Sequence, residues 1–394
     1  MALDFQQVRE QVKILGENAP LRARELQALR ERAREILLSN AQDLERLTRK
    51  VQMIAHDYDP NLRCALPVSE ALNESFALPG SLSEATILAA DGSQIAPDRH
   101  AQVDYCLINV GAIQLRCDQV EAPEITVHSQ LFYDEALYTE SGTITDDQLA
   151  LMRDLEERRM LAELAEKAQP PVIAFTDGPM ELWGAKDANG PGGFTQSLQV
   201  YQSALSRLNE LNVVAAGYVD KPAANLLVRL LEVAMTPEDQ LVEIKKRYPL
   251  RGVTDKEILS NLLECGERSA VFAMQSKSAA QYRGDLGLHF FYLNVGRPGH
   301  PWLARVEIPA WVARNPQMLG DLHSALVEQC RILGSRPYPY LLHRAHEAAV
   351  VSLEEKEQVT QMIVMELRQR GVSVGDQSHK QAAKDLDGRT RYSG

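Results

Sequence analysis

The chain has 394 residues, 45% of them apolar and 24% charged, with a formal net charge of −12. That composition excludes a disordered polymer and argues against a broadly basic nucleic-acid binder, although a basic groove can sit on an acidic protein and an acidic metal-holding cluster adds negative charge. The length fits roughly two or three folding units, no segment approaches the ~20 apolar residues of a membrane span, and the N-terminus MALDFQQVREQVKILGE lacks the apolar centre of a signal peptide.

Residues 4 to 53 read as helix, with Leu21, Leu26, Leu29, Ile36 and Leu37 near three- and four-residue spacing among charges. The stretch fits an amphipathic helix or helical pair packed on its own domain, or else a surface for self-association or a partner. Residues 57 to 84 carry Pro60, Pro67, Pro79 and Gly80 and read as a linker. Three strands are expected next: Thr86 to Asp91, Val103 to Arg116 with a bend at Gly111, and Glu124 to Tyr133. Their succession suggests an antiparallel meander.

The period then changes. Thr145 to Lys167 reads as a helix capped by Thr145, with Asp146 and Asp147 in its first turn. A buried strand, Val172 to Phe175, follows and leads into Asp177-Gly178-Pro179, and a loop is expected at Gly190 to Gly193. A helix from Thr195 to Leu211, the strand in VVAAGYVDKP and a helix from Ala223 to Met235 complete the alternation. A meander followed by strand-helix alternation implies a mixed α/β sheet with helices on its faces. Residues 236 to 300 are less regular and look like an insertion or lid. Gly287 to Val295 and Leu303 to Ile308 read as strands, and Asp321 to Leu333, Leu341 to Ala349 and Leu353 to Gly371 as helices. The expected organisation is a helical extension and linker over 1–80, a main α/β domain over 81–371 with its insertion at about 236–300, and a polar tail over 372–394.

Cys64, Cys106, Cys117, Cys265 and Cys330 are scattered, with no C-x-x-C pair. They are expected as reduced, buried thiols of a cytoplasmic protein.

Two strands end alike, in ILAADGS and IAFTDGP. Functional groups gather at the carboxyl ends of strands in α/β sheets. Glycine after aspartate permits a sharp turn and close approach of a ligand. Asp91 and Asp177 at adjacent strand ends would repel, and a divalent cation would relieve that conflict. Each Asp-Gly pair also reads as a plain turn. On the helix at 145–167, Glu157 shares a face with Leu161 and Leu164, and Glu156 shares one with Met152 and Met160. Either glutamate reads as a carboxylate on a sheet-facing stripe or as a solvated charge. In RPYPYLLHRAHEAAVVS, His346 lies one turn from Leu342 and faces inward, whereas His343 is rotated away. His346 fits a core histidine, or a metal ligand oriented by an acceptor behind it.

With ADGSQ at 90–94, FTDGPM at 175–180, GYVDKP at 217–222, ARVEIPAWV at 304–312 and PYPYLLHRAH at 337–346, in that order, the chain resembles the NurA family of DNA-end-processing nucleases. The resemblance spans residues 85 to 350. It implies a ribonuclease-H-like fold and a Mn²⁺-dependent site, with Mg²⁺ as an alternative ion. Catalytic and metal-binding roles carry over to Asp91, Glu157, Asp177 and His346, with Glu156 as the alternative glutamate. It further implies 5′-to-3′ exonuclease and single-strand endonuclease action in DNA end processing and double-strand break repair. A homodimer working with a HerA-type hexameric ATPase is implied too, with no membrane involvement.

For DNA contacts the candidates are Lys221, Arg305 and the tail pair Lys380 and Lys384, with Tyr338, Tyr340 and Trp311 as stacking platforms. Trp311 reads better as core. Asp220, beside Lys221, stands at a place where an acid weakens direct phosphate contact. No G-x-x-x-x-G-K-[ST] or G-x-S-x-G motif occurs, so ATP hydrolysis would belong to a partner. An aspartic protease needs D-[ST]-G in two all-β lobes, which this chain does not offer. A non-catalytic adaptor for a translocase, and a ribonuclease-H-like enzyme acting on RNA or a hybrid, are the other readings.

Overall fold

The computed structural model describes residues 3–82, 84–98, 101–119, 121–139, 142–184 and 193–374. Residues 190–192 of the expected loop and residues 375–394 of the expected tail, Lys380 and Lys384 included, lie outside the described residues.

The chain begins with α1 (Phe5–Ser39) and α2 (Leu44–Met53). Asp4 starts α1, accepting from the amides of Gln6 and Gln7 at 3.0 and 3.2 Å. Short strands β1 (Cys64–Pro67) and β2 (Ser75–Phe76) lead to β3 (Thr86–Ile95), β4 (Cys106–Arg116) and β5 (Glu124–Phe132). The brief hairpin β6 (Tyr138–Thr139) and β7 (Gly142–Thr143) precedes α3 (Asp146–Ala165). Next come β8 (Val172–Asp177), α4 (Gly193–Glu210), β9 (Val214–Val219), α5 (Leu226–Met235) and α6 (Asp255–Leu259). Strands β10 (Arg268–Ser269), β11 (Phe272–Gln275), β12 (Leu288–Asn294) and β13 (Leu303–Pro309) follow. The last helices are α7 (Ala310–Ala313), α8 (Pro316–Ile332), α9 (Tyr340–Ala349) and α10 (Leu353–Gln369). None of the described helices is long and apolar enough to cross a membrane.

Two compact units divide these elements. The first comprises Met1–Ser81, Gly178–Met180 and Gly217–Pro337. It contains the run β1-β11-β12-β13, continued onto the last residues of β9 through Arg305↔Val219 and Glu307↔Gly217. The segment expected as a linker is therefore partly sheet. β1 pairs with β11 from Cys64↔Gln275 to Pro67↔Phe272, and β2 pairs with β10. Pro67 ends β1, as proline does where a ladder must stop. Nor does 236–300 stand apart from the fold. It supplies β10, β11 and β12, and its Asp255 caps α5 by accepting from the amides of Leu227 and Val228 at 3.0 and 2.8 Å. The Tyr292 hydroxyl donates to the same carboxylate at 2.6 Å. Burial nevertheless pushes the Asp255 carboxyl up to about 6. Residues Leu226 to Val233 of α5 are all buried, as expected of a helix apolar on every side.

The second unit comprises Leu82–Asp177, Glu181–Ala216 and Tyr338–Gly394. Its strands lie in the order β5-β4-β3-β8, with the first residues of β9 beside β8. β3, β4 and β5 form the expected antiparallel meander. β8 runs parallel to β3, from Thr86↔Val172 to Ala90↔Thr176. Numbered within this unit the order is 3-2-1-4-5 with the second strand reversed, which is the ribonuclease-H-like arrangement. A capping box starts α3: the Gln148 amide donates to Thr145 Oγ1 at 3.3 Å, and the Thr145 amide donates to Gln148 Oε1 at 2.7 Å.

β3 departs from the expected strand in one respect. It does not end at Asp91 but pairs with β4 as far as Ile95↔Leu107. β8 is the strand that stops, at Asp177. Among the cysteines, Cys64, Cys106 and Cys330 are buried thiols, whereas Cys265, expected inside, is exposed.

Candidate active site

Successive side chains of a strand point to opposite faces, and that alternation organises the site. Asp91 and its cross-strand partner Gly111 share one face of the sheet. α9 packs there so closely that a Cβ on Gly111 would stand 2.7 Å from the Ala349 nitrogen and 2.8 Å from the Ala348 carbonyl carbon. Two side chains fasten the end of α9. Ser93 Oγ and Asn109 Nδ2 both donate to the Ala349 carbonyl, at 2.5 and 2.8 Å. That carbonyl belongs to the last turn, where helices lack partners of their own. Ser129 holds Asn109 in turn, its Oγ donating to Asn109 Oδ1 at 2.6 Å.

Docked this way, α9 brings His346 to Asp91, with Nδ1 2.7 Å from Oδ2. The Gly92 amide donates to Asp91 Oδ1 at 2.8 Å, so both carboxylate oxygens are oriented. His346 does not face the core as its helical position suggests. Its side chain is 61% exposed, because the buried positions of α9 are Leu341, Leu342, Ala345 and Ala349. An Nδ1–H bond to a carboxylate leaves Nε2 directed outward, the arrangement by which a carboxylate orients a working imidazole.

The opposite face carries α3. A Cβ on Gly92 would stand 2.8 Å from Glu157 Oε1 and 2.5 Å from Arg153 Cγ. The missing side chain at position 92 lets the Glu157 carboxylate reach the strand one residue from Asp91. Glu157 is 7% exposed. Burial, then the Asp154 and Asp91 charges, push its carboxyl well above the usual carboxylate range, against the countering charge of Arg153. Glu156 points elsewhere. Its carboxylate stands 3.7 Å from Arg159 Nη1, and it lines a shallow cavity with His128 and Met160.

Asp177 directly follows Thr176, which lies in register with Ala90. Asp177 is the exposed last residue of β8, one residue beyond the end of its ladder with β3. The donor set suits a hard divalent cation: carboxylate oxygens from Asp91, Asp177 and a buried, charge-crowded Glu157, with one imidazole. The described side chains do not themselves converge into a group of three or more in metal-holding geometry.

The DNA-contact candidates fare unevenly. In the first unit, Arg305 lies against the buried Glu307, with Nη2 2.8 Å from Oε1, so its charge already has a protein partner. Lys221 has a left-handed backbone, φ +44°, and its Nζ lies 4.4 Å from the centre of the Trp302 ring. Trp302 Nε1 donates to Asp220 Oδ1 at 2.8 Å. Trp311 is buried. In the second unit, Tyr340 opens α9 and is half-buried. Sequence reasoning read Gly111 only as a bend, whereas β4 runs unbroken through it, and it passed over Ser93 and Asn109, which fasten α9, and Arg153 and Asp154, which lie near Glu157 on α3. Ser93 left a trace, two residues from Asp91 on the same face.

A family model described as the NurA domain matches residues 85–351. No curated protein matches the chain. Among solved structures, the NurA nuclease from Sulfolobus solfataricus is 11% identical with a TM-score of 0.45, the match covering 85% of this chain and 97% of that one. The catalytic domain of human endonuclease V is 14% identical with a TM-score of 0.29, over 82% of this chain and 98% of that one. Drosophila Piwi is 11% identical with a TM-score of 0.29, over 68% of this chain and 29% of that one.

Proposed function

The chain belongs to the NurA family, and from that premise we propose that it is a Mn²⁺-dependent phosphodiesterase that cleaves DNA, with Mg²⁺ as the alternative ion. The observation that carries this reading is the placing, at adjacent residues of β3, of Asp91 bonded to His346 and of Gly92 with the buried Glu157 carboxylate over it. Asp91, Asp177, Glu157 and His346 are the residues that would hold the ion. When bound, it supplies charge neutralisation at the phosphodiester and makes the attacking water more acidic.

The chain's own groups do the rest. Asp91 fixes the imidazole of His346 through Nδ1, which leaves Nε2 as the nitrogen that would hold the ion. Glu157 stays fixed because α3 buries it and Gly92 leaves it room. Hydrolysis of a phosphodiester is mainly positioning and charge stabilisation, so no side-chain nucleophile is required.

The fuller activity we propose is that of a 5′-to-3′ exonuclease and single-strand endonuclease in cytoplasmic DNA end processing and double-strand break repair. It would act as a homodimer beside a HerA-type hexameric ATPase. The test is degradation of single-stranded DNA with Mn²⁺ by wild type and by Asp91→Asn, with folding checked by circular dichroism. Loss of cleavage in a folded variant is expected. Cleavage retained by Asp91→Asn overturns the assignment. If the wild type leaves DNA intact yet still assembles with a translocase, the adaptor reading takes its place.

A further inference from the structure

α3 brings Arg153 and Glu157 up to Gly92, with Asp154 held by Arg153, and the proposed chemistry uses only Glu157. The stem of Arg153 lies across Gly92, where a Cβ would stand 2.5 Å from its Cγ and 2.9 Å from its Cδ. Its Nη2 donates to Asp154 Oδ1 at 3.0 Å. Its Nε stands 3.4 Å from Glu157 Oε1, and that buried nitrogen makes no hydrogen bond. The contact with Glu157 is thus charge attraction without a directed bond. Arg153 therefore belongs to the same charged cluster as Glu157, although it is not a candidate ligand.

We propose that Arg153 is a positioning residue that sets the affinity of this centre for its divalent cation, by supplying from the chain itself part of the positive charge the carboxylates would otherwise draw from the ion. The inference rests on the metal reading of the site given above. Glu157 cannot be shared between a guanidinium and a doubly charged ion without repulsion between the two cations. The site is then weaker for metal than its carboxylates alone would make it, and the folded chain holds together without relying on the ion. A purely structural role for Arg153 carries the opposite expectation, because disordering Glu157 would weaken metal binding.

The experiment is a calorimetric titration of Mn²⁺ into the full chain without DNA, after stripping by a chelator. It compares wild type, Arg153→Gln and Arg153→Lys, with thermal midpoints measured with and without the ion. Glutamine keeps a donor for Asp154 but removes the charge. Arg153→Gln is expected to bind Mn²⁺ on the order of tenfold more tightly than wild type. Its stripped form is expected to melt lower and to recover with Mn²⁺. Arg153→Lys is expected to stay within about threefold of wild type, since it keeps the charge but not the planar fork. Should Arg153→Gln fail to fold when stripped, refolding on addition of Mn²⁺ supports the proposal and failure to refold contradicts it. Equal or weaker Mn²⁺ binding by folded Arg153→Gln overturns the role of Arg153 while leaving the metal centre standing. Absence of Mn²⁺ binding in wild type and variants alike overturns the metal centre itself, and this inference with it.

Discussion

Gly111 stands opposite Asp91 in the β3–β4 ladder, and the backbone of α9 rests on it. The atoms above Gly111 are main-chain atoms of Ala345, Ala348 and Ala349, which cannot step aside as a side chain can. Gly111→Ala is therefore expected to lift α9 and draw His346 away from Asp91. A cost of about 1–3 kcal/mol in stability is expected from overpacking. Cleavage should fall by on the order of a hundredfold, since small misplacements of catalytic groups carry losses of that size. Thermal unfolding and single-turnover cleavage check both. Full activity at reduced stability would mean that His346 need not sit at Asp91.

Gly92→Ala provides the contrasting case. The added Cβ meets side-chain rather than main-chain atoms: Arg153 Cγ and Cδ, which belong to the stem of that side chain, and Glu157 Oε1, the far end of one that can swing away. The stability cost is expected to be about 1–3 kcal/mol, the scale of overpacking. Cleavage should nevertheless fall at least as far as in Gly111→Ala, because the atom displaced is a carboxylate oxygen of the site. A variant with unchanged cleavage would remove Glu157 from the mechanism.

His323 gives the first unit a pH dependence unconnected with catalysis. It is 1% exposed, and its Nε2 donates to the Gly266 carbonyl at 2.6 Å. Burial, aided by the positive charge of Arg268 and opposed by that hydrogen bond, lowers its pKa from 6.5 to about 4. Between those values the unfolded chain binds more protons than the folded one, so stability rises with pH. The contribution is fully present above the unfolded pKa and is lost as pH falls toward 4. Lowering the pH from 7 to 5 should destabilise this unit by about 2 kcal/mol through His323 alone. Denaturant titrations of wild type and His323→Gln at both values check it. The variant is expected to be less stable at pH 7 but less sensitive to acid, and equal sensitivity would contradict the assignment.

Much of the second unit was legible in the sequence, because its signals are local. The apolar run at Ile87 to Ala90, the alternation in Glu124 to Tyr133 and the Thr145 cap each declare their element without reference to distant residues. Asp91-Gly92 shows where local reading stops. Glycine after aspartate reads as a turn, yet the strand runs on to Ile95, and Gly92 is needed because a helix side chain arrives above it. Glu156 and Glu157 could not be separated by spacing, since adjacent residues differ only in which neighbour they meet. His346 has an inward position by spacing, but its ring emerges because the positions of α9 that are buried are Leu341, Leu342, Ala345 and Ala349. The prolines of 57–84 suggested a linker, while the strands that pair with β1 and β2 lie far along the chain.

The most direct test is anomalous diffraction from a crystal of the full chain soaked in Mn²⁺. A peak is expected between the carboxylates of Asp91 and Asp177, within ligand distance of Glu157 or His346, and absent from Asp91→Asn soaked identically. Mn²⁺ bound elsewhere, or no peak at this place in a crystal that cleaves DNA when dissolved with Mn²⁺, would contradict it.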